Sequence, residues 1–254
     1  METTNKIALV TGGSRGLGKN MALRLAEKGN DVIVVYRGNE KEAVEVVGEI
    51  EKLGQKAAAL QLDVAAHKTF DEFFLKLLEV LKTGWGRTNL DFLVNNAGIG
   101  RYAAIADTTE EDFDDLMNIN FKGVYFLTQK ALPFLADGGR IVNLSTGLAR
   151  FSTAGYAAYA SMKGAIEVFT RYLAKELGHR GITANVVAPG IIHTDFTKSA
   201  FEGNPGMEEH INSVIALGRV GMPEDIGGIV AFLCSKDAGW INAQRIEASG
   251  GMFL

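Results

Sequence analysis

The stretch Lys6-Ile7-Ala8-Leu9-Val10-Thr11-Gly12-Gly13-Ser14-Arg15-Gly16-Leu17-Gly18 decides how the rest of the chain is read. It opens with an unbroken apolar run, which reads as a strand buried on both faces. Glycines follow at once, in the spacing Gly-x-x-x-Gly-x-Gly, and an amphipathic segment begins directly after them. Glycine permits a tight turn and lets backbone approach a ligand without a Cβ clash. A helix starting there directs its free N–H groups and positive dipole end into the turn, an environment suited to a pyrophosphate. The spacing is not the Gly-x-Gly-x-x-Gly of the general dinucleotide fingerprint, so the loop alone is a weak signal.

Further strand-like runs follow at 31–36, 56–62, 90–95, 140–144, 183–188 and 245–247, making seven with residues 6–11. Between them lie helical stretches such as 17–28, 40–53, 68–81 and 110–135. Regular alternation of strand and helix predicts an α/β fold, a single Rossmann-type doubly wound parallel sheet of about seven strands with helices on both faces. One domain over residues 1–254 is expected, since 254 residues of 47% hydrophobic composition suffice for a large single core. The least regular part is 190–207, punctuated by Gly, Pro and Asn, and it reads as a substrate-binding loop.

Composition excludes several classes. The net charge of −4 offers no basic face for nucleic acid. No apolar run approaches the roughly 20 residues of a membrane helix, and Met1-Glu2-Thr3-Thr4 does not begin an export leader, so a cytoplasmic location is expected. Cys234 is the only cysteine, which rules out an intrachain disulfide and reads as a core thiol. His67, His179, His193 and His210 show no metal-ligand spacing, so no metal site is expected.

Tyr159 and Lys163 stand four residues apart, on one face of a helix. A phenol normally titrates near ~10, too high for acid–base work at neutral pH. A fixed ammonium nearby favours the phenolate, so the pair is suited to moving a proton at a carbonyl oxygen. Tyr156, further back on the same face, reads as packing or pocket wall.

Together these pieces carry a resemblance. The Thr11–Gly18 loop, Asp63-Val64, Asn95-Asn96-Ala97-Gly98, Asn120, the Tyr159/Lys163 pair, Pro189-Gly190 and the terminal Gly250-Gly251 occur in one order along the whole chain. In this the sequence resembles the short-chain dehydrogenase/reductase family, and in pattern the 3-oxoacyl carrier-protein reductase-like members. The resemblance implies hydride transfer between a nicotinamide cofactor and a carbonyl or alcohol. It implies that Gly12, Ser14, Arg15, Gly16, Leu17 and Gly18 cradle the cofactor phosphates and adenosine, and that Asp63 and Val64 meet the adenine. Asn96, Ala97 and Gly98 would shape the cofactor floor, while Pro189, Gly190, Ile192 and Thr194 would hold the nicotinamide amide. Tyr159 would be the acid in reduction and the base in oxidation. Lys163 would bind the nicotinamide ribose and depress the Tyr159 pKa. Asn120 would support a proton relay by opening its helix to a water; its plainer reading is a packing or capping amide.

One position departs from the family. Its third catalytic group is a serine hydroxyl, usually thirteen residues before the tyrosine, and that count falls on Thr146. Ser145 sits one residue earlier and should face the opposite side of an extended strand. Thr146 is assigned, with Ser145 as the alternative.

The cofactor preference is read from the second strand. NAD-preferring sites usually carry an acidic residue at its end. Here the sequence runs Val34-Val35-Tyr36-Arg37-Gly38-Asn39, with no carboxylate before Glu40. Arg37 and Arg15 suit a 2′-phosphate instead, which points to NADP(H).

Two other functions stay open at this point. A 3-oxoacyl carrier-protein reductase should present two basic residues to an acidic carrier. Arg180 matches one, but the other position is Asp137. A non-catalytic NADPH-binding sensor needs no acid–base set, yet one is present. A small carbonyl or alcohol substrate is the expected partner. The apolar helices around 110–135 and 154–177, with the apolar end Gly251-Met252-Phe253-Leu254, predict a homotetramer or homodimer.

Overall fold

The computed structural model describes residues 5–203 and 206–254. The first four residues, on which the reading of the N-terminus rests, lie outside the described part, as do Asn204 and Pro205 of the expected loop. The strands are β1 (Ile7–Thr11), β2 (Asp31–Tyr36), β3 (Ala57–Gln61), β4 (Leu90–Asn95), β5 (Leu135–Leu144), β6 (Thr183–Pro189) and β7 (Arg245–Ala248). The helices are α1 (Gly16–Glu27), α2 (Glu40–Lys52), α3 (Phe70–Trp85), α4 (Glu110–Met117), α5 (Gly123–Ala131), α6 (Ala157–Leu177), α7 (Asp195–Glu202), α8 (Met207–Ser213) and α9 (Glu224–Leu233).

All seven strands form one parallel sheet in the order β3-β2-β1-β4-β5-β6-β7. Strand chemistry explains why both faces are covered. Ala8, Val10, Val32 and Val34 face one layer, packed by Met21 and Leu25 of α1, Val46 and Ile50 of α2 and Ile226 and Val230 of α9. Their alternate neighbours Ile7, Leu9, Ile33 and Val35 face the other, packed by Phe70, Phe74 and Leu77 of α3, Leu127 of α5 and Leu173 of α6. Period-two alternation between two apolar layers is what an uninterrupted apolar strand encodes. The strand order reverses between β1 and β4, which opens a crevice at their C-terminal ends, the usual ligand position in such sheets.

Local chemistry sets the helix limits. Asn39 accepts from the Glu42 N–H at 3.3 Å and starts α2, with Glu40 and Glu42 in the first turn. Thr109 does the same for Asp112 at 3.1 Å and starts α4. Helix α3 runs four residues beyond the expected end at 81, through Gly84, and stops at Gly86 in the left-handed region. Trp85 extends it by donating its indole N–H to Asp31 at 2.8 Å.

Two expectations are corrected. The helix expected over 110–135 is not α-helical throughout. A π-helical turn, Asn118–Lys122, separates α4 from α5, and Leu132–Phe134, with Pro133, tightens into a 3-10 turn before β5 begins at Leu135. Proline has no N–H to continue an α-helical ladder. The segment 190–207 is not irregular throughout, since it carries α7.

Beneath the sheet, Asp91 anchors the start of β1. Its buried carboxylate accepts from Lys6 Nζ at 2.8 Å, the Ile7 N–H at 2.9 Å and Arg87 Nη1 at 2.8 Å. Burial pushes this carboxyl up, but the bonds from Arg87, Lys6 and Ile7 outweigh it, and the net shift is downward. The stability it contributes is therefore present above the ordinary carboxylate range and lost as pH falls through the depressed value. Asp91→Ala is expected to cost about 3 kcal/mol, as for a broken buried ion pair, measured by denaturant unfolding at pH 7.

Candidate active site

The site is built at the reversal between β1 and β4. The chain leaves β1 through Gly12 and Gly16, both at positive φ (63° and 53°). A Cβ on Gly18 would lie 2.1 Å from the Gly12 carbonyl oxygen, so only glycine closes this turn. No side chain caps α1 at Arg15, and no acidic residue stands in its first turn. In contrast with α2 and α4, this helix N-terminus has its donors available, which fits a pyrophosphate. Asn96 braces the turn, its Nδ2 donating to the carbonyls of Thr11 at 2.8 Å and Gly12 at 3.2 Å. The Thr11 hydroxyl accepts the N–H groups of Asn96 and Ala97, each at 3.0 Å.

Tyr36 is buried and Arg37 exposed at the end of β2; the first carboxylate after the strand is Glu40, in the first turn of α2, which adds to burial in raising the Tyr36 phenol. Arg15 forms an exposed ion pair with Asp195 of α7 at 3.5 Å. That contact joins the phosphate turn to the segment after β6, and Thr194 sits 3.7 Å from a Cβ built on Gly16. Exposed Asp63 accepts from the Ala65 N–H at 2.9 Å, forming a turn that presents the buried Val64 backbone beside Gly123. Pro189 ends β6, Gly190 packs against Ser249, and Ile192 is buried in a bridge to Gly221.

Asn120 is fully buried in the π-helical turn. It grips the loop after β4 twice, donating from Nδ2 to the Ile99 carbonyl at 3.0 Å and accepting the Ile99 N–H at 3.2 Å. A Cβ on Gly98 would meet Asn120 Oδ1 at 2.8 Å and Lys163 Nζ at 3.5 Å, so glycine lets the loop, the amide and the ammonium converge. π-Turns inside helices are frequent at functional sites. Asn120 lies on the same buried face as Leu116 and Val124, four residues to either side.

Helix α6 delivers Tyr159 and Lys163 together. Lys163 Nζ donates to the Leu144 carbonyl at 2.9 Å and lies 5.8 Å from the centroid of the Tyr159 ring. Burial holds Lys163 down, at about 8. Burial likewise pushes the Tyr159 phenol up, a hydrogen bond with Thr146 counters it, and neighbouring Tyr156 adds a small upward effect. The expected depression of the phenol by Lys163 is absent. Desolvation dominates both groups, so the phenol keeps its proton at neutral pH.

The two hydroxyls at the end of β5 separate as the alternation requires. Thr146 faces Tyr159. Ser145 turns away, donating to Glu167 Oε1 at 2.7 Å. Tyr102 and Tyr156 pair edge-to-face at 5.5 Å, with Tyr156 near enough to Tyr159 to act on its phenol. Phe196 of α7 lies 6.2 Å from the Tyr159 ring. Close approaches hold Tyr102 and Phe196: a Cβ on Gly155, at φ 85°, would collide with Tyr102, and one on Gly100 with Phe196. Tyr102 and Phe196 were missed from sequence. Tyr102 lies in a loop without periodicity and Phe196 in α7, within the stretch expected to be irregular, and each packs on a glycine distant in sequence. Among the described residues, no group of three or more His, Cys, Asp or Glu side chains could hold a metal ion, and no helix is long and apolar enough to cross a membrane.

A family model described as enoyl-(acyl carrier protein) reductase matches residues 12–253. A hydroxynaphthalene reductase-like protein of Metarhizium brunneum is 41% identical over 257 residues, covering 97% of this chain and 94% of that protein. Among solved structures, the promiscuous reductase LugOII, which catalyses keto-reduction at C1 during lugdunomycin biosynthesis, superposes with a TM-score of 0.93 at 39% identity over the full length of both chains. The angucycline C-6 ketoreductase LanV, solved with bound NADP, gives 0.92 at 40% identity, covering 98% of this chain and 95% of its own. The chain belongs to the short-chain dehydrogenase/reductase family. Within that family it is an NADP-dependent oxidoreductase of C=O and CH–OH groups.

Proposed function

We propose that this chain, acting as one domain, reduces a ketone carried on a fused-ring skeleton. The observation that carries this reading is the convergence of Thr146, Tyr159, Lys163 and Asn120 beside the aromatic side chains of Tyr102, Tyr156 and Phe196. These aromatic side chains suit a flat substrate, and the hydroxynaphthalene reductase-like and angucycline relatives support a polycyclic one. NADPH, when bound, supplies the hydride. Tyr159 gives the proton to the ketone oxygen, Thr146 donates to that oxygen as charge develops on it, and Lys163 holds the nicotinamide ribose. Asn120 fixes the loop that carries Gly98 and presents the opened helix turn to a relay water. The turn from Gly12 through Ser14, Arg15, Gly16, Leu17 and Gly18 receives the pyrophosphate, with Asp63, Val64, Asn96 and Ala97 along the adenine and floor. Pro189, Gly190, Ile192 and Thr194 take the carboxamide. NADPH oxidation is expected with tetralone- and naphthol-type ketones, and weakly or not at all with a 3-oxoacyl thioester. Turnover of the thioester alone would overturn the substrate reading. The carrier-protein alternative loses its one matching cation, because Arg180 is spent on Asp137 at 2.8 Å and on the carbonyls of Leu132 and Leu135.

Arg37, together with Arg15 released from or shared with Asp195, is proposed to read the 2′-phosphate. NADPH should bind at least about tenfold more tightly than NADH, with most of that preference lost in Arg37→Ala by calorimetry. Equal affinities in the parent protein would refute this.

We also infer a homotetramer or homodimer in the cytoplasm. Phe113, Tyr125, Phe126, Val168 and Tyr172 are exposed along α4 to α6, and Trp240 and Leu254 are almost wholly exposed elsewhere. Apolar surface of this kind supports association. Sedimentation at micromolar concentration should give a dimer or tetramer mass, and a monomer would contradict it.

A further inference from the structure

Behind the paired hydroxyls lies a charged cluster that the proton chemistry does not use. Arg245 of β7, with its side chain only 23% exposed, reaches three acceptors. Nε donates to Glu167 Oε1 at 2.7 Å, Nη1 to Glu247 Oε2 at 2.8 Å and Nη2 to the Thr146 carbonyl at 3.1 Å. Glu167 Oε1 also accepts the Ser145 hydroxyl. One guanidinium–carboxylate pair therefore holds two consecutive residues, Ser145 by its side chain and Thr146 by its backbone. Glu247 is itself fixed by Arg150 at 2.6 and 2.7 Å and by the Ser249 hydroxyl at 2.7 Å. Two guanidinium groups face two carboxylates, so the cluster is neutral and its members are held from several sides.

The position matters because the sheet releases the chain there. The β5–β6 ladder has its last paired residues at Leu144 and Val187. One further bond, from the Ser145 N–H to the Val187 carbonyl at 2.8 Å, is the last that β6 supplies. Thr146 is still extended, at φ −157° and ψ 154°, and the chain then enters a 3-10 turn. Its carbonyl also accepts the Ala149 N–H of that turn at 3.2 Å, beside the Arg245 contact at 3.1 Å, and its hydroxyl accepts the Leu148 N–H at 3.3 Å. The guanidinium is the charged contact on this peptide plane, and the plane's rotation sets the direction of the Thr146 Cα–Cβ bond.

We infer that Arg245, braced by Glu167 and Glu247, is a positioning residue that aims the Thr146 hydroxyl at the substrate oxygen. The inference rests on Thr146 supplying that hydroxyl, as proposed above. Arginine suits the task because its planar fork spans separate acceptors, which a lysine ammonium does not.

A double-mutant cycle on the purified full chain, with a ketone it reduces, tests this. Arg245→Lys keeps the charge against both carboxylates but gives up the fork. It should lower kcat about tenfold, since small misplacements of a donor are costly, while KM, NADPH affinity and unfolding temperature stay close to the parent values. In a Thr146→Ala background the same change should alter kcat less than about twofold, because the hydroxyl it aims is gone. Losses that multiply in the double variant would overturn the inference, and so would Arg245→Lys with parental kcat. If Arg245→Lys does not fold, Glu167→Gln with and without Thr146→Ala runs the same cycle, with the same non-additivity expected and the same multiplication fatal. Full activity of Thr146→Ala would remove the Thr146 assignment and the inference with it. That outcome is distinct from failure of the inference alone, in which Thr146→Ala is crippled and the losses multiply.

Discussion

Tyr159→Phe should lose about 10³-fold or more in kcat for ketone reduction and bind NADPH as the parent does. The phenylalanine ring keeps the packing against Phe196 and the position over Lys163. Only the proton donor goes. Calorimetry of NADPH binding beside steady-state oxidation of NADPH separates the two effects, and turnover within tenfold of the parent would show that the acid lies elsewhere. The pH dependence follows from the same group. Burial holds the phenol above its ordinary value, so the acid form persists through neutral pH. The reduction rate should be level there and fall only on the alkaline side. Alcohol oxidation, which needs the phenolate, should rise over that alkaline range.

Thr146→Ala should cost about 10²–10³-fold in kcat, the usual loss when a donor aimed at developing negative charge is removed. Thr146→Ser keeps the donor and should stay active. The threonine methyl restricts χ1 and narrows the pocket beside the hydroxyl, so the serine variant should admit bulkier ketones. Ser145→Ala should change turnover by no more than a few-fold, because its hydroxyl faces Glu167, which keeps its bond to Arg245. A crippled Ser145→Ala beside a near-parental Thr146→Ala would reverse the assignment. Substrate kinetics on the three variants decide it.

The separation of these two hydroxyls was legible in the sequence, since residues 145 and 146 directly follow β5, the chain is still extended at Thr146, and side chains alternate along extended backbone. The phosphate turn was legible for a similar reason. Gly12, Gly16 and Gly18 are local solutions to local backbone constraints, and the apolar run before them could only be a strand covered on both sides. Asn120 was placed by resemblance alone. Its role as a clamp on Ile99 depends on a π-helical turn that no periodicity announces. The helix expected over 110–135 runs as helical backbone to Phe134, but its hydrogen bonding changes at the π turn and again at the proline-bearing 3-10 turn, and both keep helical composition.

What the sequence by itself determined was everything set by neighbours along the chain: the strand–helix alternation, the glycine turn, the four-residue stacking of Tyr159 on Lys163, and the absence of a carboxylate between β2 and Glu40. Only the tertiary structure decided the groups that meet across elements. Arg245 and Glu167 lie 78 residues apart in the chain and share a bond at 2.7 Å. Tyr102 meets Tyr156, and Arg15 meets Asp195, across segments distant in the chain. It also decided the direction in which the Tyr159 phenol is pushed. A lysine four residues away predicts a lowered phenol pKa, but the sequence contains no measure of desolvation, and burial of both groups together reverses the direction.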